Sequence, residues 1–269
     1  MKTIIVLLMV SIMPVTAKLP VMSDKTEWLG YFVGWVDREA DFGIGADGES
    51  SLCPKKDREQ YNTKEIKVRY LVEEKMNERW VRRQLLDEGG VVSEQEKGLD
   101  PEGPVVIVTT VTGDTKVEWT HLVDRGRVSI QPKLLSRTSE NEIRVGVEFV
   151  LPKLYYFDGP LDERELKDKV GKDYVKATRS KDRKSVRLKF HEIDESIISD
   201  DYLADGASEI EVQSGGFLDK ALMIESGDEK TGRIDVQPKG PLHNSFRMTW
   251  IADPEKLGQK DCHVTFWVE

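Results

Sequence analysis

Cysteine and histidine are scarce, two of one and four of the other in 269 residues. No H-E-x-x-H or paired histidine spacing occurs, and no G-x-S-x-G elbow presents a serine. Most metal-centred and nucleophilic chemistries therefore lack the side chains they need. Positive charge is also short: 40 Lys and Arg stand against 49 Asp and Glu, a formal charge of −9. Such a surface repels phosphate backbones and disfavours general nucleic-acid binding. The longest apolar run, residues 4–13, falls well below the ~20 residues that a membrane-spanning helix needs. Asn-x-Ser/Thr sites are absent too, which removes the usual acceptor for N-glycosylation.

The apolar residues, 38% of the chain, suffice for a core, and 33% charged residues suit a soluble surface. Lys2, the apolar run and Val15-Thr16-Ala17 together form a secretory leader cut after Ala17. The mature chain is then expected in the periplasm or outside the cell, not spanning a membrane. That compartment favours a disulfide between Cys53 and Cys262, closing a long loop. Cys262 alternates with Val264 and Phe266 on an apparently buried strand face, where a buried thiol fits equally well.

Period-2 alternation dominates the rest. Ile66-Lys67-Val68-Arg69-Tyr70-Leu71, Ile143-Arg144-Val145-Gly146-Val147-Glu148-Phe149 and Val186-Arg187-Leu188-Lys189-Phe190 read as strands with one buried face. Residues 117–120, 210–212, 234–236 and 246–250 show the same pattern. The continuous apolar or β-branched runs at 31–36 and 105–111 suggest strands covered on both faces. Gly113-Asp114, Asp205-Gly206 and Gly227-Asp228 supply turns. Residues 73–88 fit either a helix, with Met76 and Trp80 four apart, or a hairpin arm, which Trp80-Val81 after Met76-Asn77 favours. The one good helical segment is 161–170, with Pro160 before it, Gly171 after it, and Glu163/Lys167 and Glu165/Lys169 as i,i+4 pairs.

An octapeptide recurs: Gly126-Arg127-Val128-Ser129-Ile130-Gln131-Pro132-Lys133 and Gly232-Arg233-Ile234-Asp235-Val236-Gln237-Pro238-Lys239. Val-Arg strands precede both copies and Arg-bearing strands follow both. The expectation is all-β: tandem antiparallel, Ig-like β-sandwich domains over 18–153 and 154–269, joined by a short connecting helix, the second a duplication of the first or a chance echo of similar hairpins.

Few residues invite chemistry. Gly43-Ile44-Gly45-Ala46-Asp47-Gly48 fits G-x-G-x-x-G, but a loop ending at Pro54 follows where a dinucleotide site needs a helix. In the same segment Asp41, Asp47 and Glu49, with Asp37 and Glu39 nearby, crowd hard oxygen donors that suit Ca²⁺, though without EF-hand spacing. A solvated acidic loop explains the same residues. His191-Glu192-Ile193-Asp194-Glu195 continues a strand, so Glu192 and Asp194 share a solvent face. Trp119 and Trp250 alternate in phase with core residues. Trp267 lies opposite Val264, Phe266 and Val268, where an aromatic can stack on a sugar, dock a partner or meet a covering loop.

These features fit a secreted, non-catalytic envelope or extracellular protein for adhesion, assembly or scaffolding, with other envelope proteins or polysaccharide as partners. A lectin-like protein using Trp267, with Ca²⁺ at the acidic loop, is the alternative. A glycoside hydrolase acting through paired carboxylates is the third.

Overall fold

The computed structural model describes residues 31–45, 48–56, 59–60, 65–86, 91–92, 98–152, 173–189, 203, 205–214, 218, 220–237 and 247–269. The leader, the segment 161–170 and the cluster His191 to Glu195 lie outside them.

The chain is all-β. In order, the strands are β1 (Tyr31–Trp35), β2 (Ala40–Gly45), β3 (Ser50–Lys56), β4 (Glu59–Gln60), β5 (Ile66–Met76), β6 (Arg79–Arg82), β7 (Val91–Val92), β8 (Gly98–Leu99), β9 (Val105–Val111) and β10 (Thr115–Asp124). There follow β11 (Arg127–Ser136), β12 (Ile143–Val150), β13 (Tyr174–Arg179), β14 (Ser185–Lys189), β15 (Ala207–Gln213), β16 (Leu222–Ser226), β17 (Gly232–Gln237), β18 (Arg247–Ala252) and β19 (Val264–Val268). Among the described residues the only helical element is a 3-10 turn, Pro254–Lys256, capped by the Asp253 side chain. The alternating segments are strands for the expected reason: Ile143, Val145, Val147 and Phe149 are buried on one face of β12, with Arg144 and Glu148 on the other. Residues 73–88 begin as a hairpin, since Asn77 (φ 49°) and Glu78 (φ 63°) take left-handed backbone and return the chain from β5 into β6.

Ladders connect the strands into one curled, mixed sheet that folds over on itself. One layer runs β8–β1–β2–β3–β5–β12–β18–β17. The other runs β7–β9–β10–β11–β19–β16–β15–β13–β14. A single bridge, Ala207 to Ile234, joins β15 to β17 where the sheet turns over. All pairings are antiparallel except β1 with β8. The two halves read from the sequence share ladders, because β12 pairs with β18 and β11 with β19. The two octapeptides also have different neighbours: β11 lies between β10 and β19, whereas β17 lies beside β18 and touches β15 at one bridge. Pro132 is tolerated inside β11 because β19 covers that strand only at Val128–Ile130, and beyond it the loop at Gly258 uses the Pro132 carbonyl (3.0 Å) rather than the missing N–H.

Aromatic rings close the space between layers. Tyr70 of β5 stacks on Trp119 of β10 at 4.5 Å between centroids, and Phe266 of β19 meets Phe149 and Phe42 edge-on at 5.0 and 5.6 Å. The two fully buried indoles each donate to a hydroxyl: Trp119 Nε1 to Thr109 Oγ1 (2.8 Å) and Trp250 Nε1 to Ser226 Oγ (3.0 Å). Gly232 must lack a side chain, since a Cβ there would sit 2.4 Å from that Trp250 nitrogen.

Candidate functional site

The layer containing β5, β12, β18 and β17 has a second face, directed away from the aromatic core. Alternation places Arg69, Leu71 and Glu73 of β5 on it, with Arg144, Gly146 and Glu148 of β12, Thr249 and Ile251 of β18, and Arg233 and Asp235 of β17. Glu148 is only 4% exposed, yet ionised partners surround it. Arg82 Nη1 donates to both its oxygens at 3.1 Å, and Arg247 Nη1 lies 3.5 Å from Oε1. Burial pushes the Glu73 carboxyl above its ordinary range, against the pull of Arg144 and Arg82. It does the same to Asp235, with Arg233 and Arg144 opposing.

At the end of this face, where β12 and β17 begin and β18 ends, the surface sinks into a groove of about 600 Å3. Its apolar part comes from Ile251, Ala252 and Pro254. Trp80, carried in by the β5–β6 hairpin, lies under the guanidinium of Arg144, 3.8 Å from the ring centroid. Further charges reach the rim from the β11–β12 loop and the turns at 205 and 229–230. A second cavity, of about 550 Å3, opens beside the turn at 226–230 and is lined by acidic and hydroxyl side chains such as Glu209, Glu225 and Ser208.

The residues singled out in the sequence lie elsewhere. Asp41 is buried and salt-bridged to Lys55 (2.6 Å), while its carboxylate accepts from the Asp37 amide. Burial raises the Asp41 pKa, and that lysine opposes the rise. Glu49 faces Arg69 at 2.9 Å and Lys67 at 3.5 Å. Both carboxylates are thus neutralised by cations of the protein itself, and Asp47 lies outside the described residues. Among the described residues no three His, Cys, Asp or Glu side chains gather as a metal site. Trp267 is half-buried on the face opposite Val264 and Phe266, and the Arg127 guanidinium lies 4.1 Å over its ring. Cys53, in β3, and Cys262 are both thiols in the structure. Cys262 is buried, donates to the Thr231 carbonyl at 3.4 Å, and is pushed up to about 12 by desolvation and then by Asp253.

Trp80 was not distinguished in the sequence from other aromatics, and the arginines on the polar phase of successive strands registered only as part of a repeat. That recurrent Arg between β-branched residues was the available signal of a charged second face.

No protein-family model matches the chain, and no curated protein matches it. Among solved structures it is similar to the alpha-N-acetylgalactosaminidase NagBb from Bifidobacterium bifidum in complex with GalNAc. There the TM-score is 0.56 at 10% identity over 88% of this chain. A quadruple mutant of the same enzyme gives 0.52 at 11% over 87%. The chain spans only about a third of that glycosidase, 36% and 35% in the two cases. At such identity the likeness concerns the fold.

Proposed function

We propose that the chain is an exported, non-catalytic β-module that recognises carbohydrate, and that sugar is met in the groove beside Trp80. The observation that carries this reading is the groove's composition. Ile251, Ala252 and Pro254 offer an apolar surface for the C–H side of a sugar ring, and the surrounding charged side chains suit its hydroxyls. The shared fold with part of a carbohydrate-acting chain supports the same context, although the groove residues are this chain's own. A non-catalytic role fits the way three of the five wall carboxylates are held. Glu142, Asp205 and Glu229 lie beside Lys75, Lys181 and Arg183 respectively, whereas a retaining glycosidase needs two carboxyl groups about 5–5.5 Å apart across the scissile bond.

A glycan array probed with the full chain, including N-acetylgalactosamine-terminated glycans, tests the reading. Binding that falls about tenfold or more in Trp80→Ala, with circular dichroism unchanged, is expected, in line with loss of a central aromatic contact. Failure to bind any glycan would overturn it. The adhesion or scaffolding role draws on a different feature: β14 pairs only with β13 among the described strands, and such an edge can accept a partner's strand.

A further inference from the structure

The charges around the groove do not balance once their partners are traced. Five carboxylates line it, and three are ion-paired. Glu142 binds Lys75 Nζ at 3.1 Å, Asp205 lies 3.8 Å from Lys181 and Glu229 3.0 Å from Arg183, all cations from outside the groove. Asp253 accepts from the Glu255 amide at 2.9 Å as the cap of the 3-10 turn. Asp253 and Glu140 are left without an ion pair among the described residues.

The four cations on the wall behave differently. Arg233 is paired, through Nε, with Asp235 at 3.2 Å. Arg137 donates only to a backbone carbonyl, that of Asn141. Arg144 and Lys230 make no ion pair among the described residues, although Arg144 stands across from Glu73 and acts electrostatically on the Glu73 and Asp235 carboxyls. Among the described residues three groove cations, Arg137, Arg144 and Lys230, therefore lack an ion pair, against two carboxylates, Glu140 and Asp253, in a chain whose formal charge is −9.

Arg144 is also preorganised. Its flat face rests on Trp80, which fixes the guanidinium while leaving its in-plane N–H donors for a second partner. A planar fork held this way matches two oxygens of a carboxylate or sulfate better than a lone hydroxyl.

We infer that the ligand of this groove is a sugar bearing an anionic substituent, a carboxylate or a sulfate ester, with Arg144 as its principal partner and Arg137 and Lys230 as supporting charges. This rests on the carbohydrate reading of the groove and narrows it.

Calorimetric titration of the full chain with three galactose-based probes separates the cases: an oligogalacturonate, a sulfated galactan oligosaccharide and a neutral galactan oligosaccharide. One of the two charged probes should bind about tenfold or more tightly than the neutral one, and should weaken steeply with added salt. Which charged probe wins distinguishes a carboxylate from a sulfate. Arg144→Gln should weaken that binding about tenfold or more, the range for a lost charge-assisted hydrogen bond. Lys230→Gln, on an exposed turn, should weaken it with no effect on folding, and Arg125→Gln, an exposed turn residue outside the groove, should leave it unchanged. Neutral galactan binding as well as the charged probes, insensitive to both groove variants, would overturn the anionic ligand while leaving carbohydrate recognition intact. Binding of none of the three, together with a blank glycan array, would remove both.

Discussion

On one side of β12, Ile143, Val145, Val147 and Phe149 enter a core of stacked rings. On the other, Arg144, Gly146 and Glu148 meet a row of charges, and Glu148 is nearly as inaccessible as Phe149, 4% against 0% exposed. The charged side is dry at Gly146, Glu148 and Thr249 and partly exposed at Arg144, Arg233 and Asp235, so one side is held by close packing of apolar groups and the other by ion pairs that must stay matched. Burial and apolarity are therefore separate properties in this sheet. The alternation in sequence marks which side meets the facing layer, not which side meets water. The paired side can also afford a groove, because charged side chains reach outward from a sheet more adaptably than packed rings do.

The sharpest way to break the comparison is on the packed side. Phe149→Ala leaves a cavity beside Phe266 and should cost about 3–5 kcal/mol, read as a lower midpoint in urea unfolding with the slope preserved. A loss below about 1 kcal/mol would mean that the layers are not packed through these rings.

Among the polar groups buried on the packed side is an imidazole. His121 is buried with Nδ1 against the Val105 carbonyl (3.3 Å) and Nε2 against the Tyr70 hydroxyl (2.8 Å). Because a carbonyl can only accept, Nδ1 carries the hydrogen and Nε2 accepts from Tyr70. Desolvation lowers this imidazole from 6.5 to about 4. Its neutral form thus contributes stability that is complete above the unfolded value of 6.5 and is lost as pH falls toward 4. The total is about 3 kcal/mol. Asp235 and Glu73, whose carboxyl pKa values are raised, act in the opposite direction in acid. The measurement is therefore a difference: unfolding free energy against pH for the natural chain and His121→Asn, which should lack that part of the slope. Titration of His121 by NMR near 6.5 would sink the prediction.

The smallest expected effect is on the charged side. Glu148→Gln keeps the volume and removes the charge facing Arg82 and Arg247. A loss of about 1–2 kcal/mol should follow, because Arg82 is still 38% exposed and water compensates part of it. A larger penalty from this variant than from Phe149→Ala would reverse the ranking of the two faces.

Much of the fold was legible in the sequence, since Trp119, Trp250 and Phe266 sit in phase with their strand neighbours and all are fully buried. The all-β character followed from the same alternation. The connection of the strands was not legible. Nothing local announces that β12 pairs with β18, or that a Gly126-type octapeptide acquires two neighbours in one place and a different pair in another. The site was less legible still. The density of acids around Asp41 and Glu49 is plain, but their partners Lys55, Lys67 and Arg69 arrive from adjacent strands and decide what that density means. Trp80 and Arg144 meet only because a hairpin and a long-range ladder set β6 and β12 on opposite edges of β5 with both side chains on one face.

The seam between β11 and β19, where Ser129 and Thr265 hydroxyls meet at 2.8 Å across a separation of 136 residues, has a kinetic consequence. β11 closes a local hairpin with β10, but β19, which pairs with β16 on its other edge, must wait for a wide chain closure. Assembly should accordingly be slow and late for a polypeptide of this size, with a long-lived precursor whose unsatisfied strand edges call for chaperone protection.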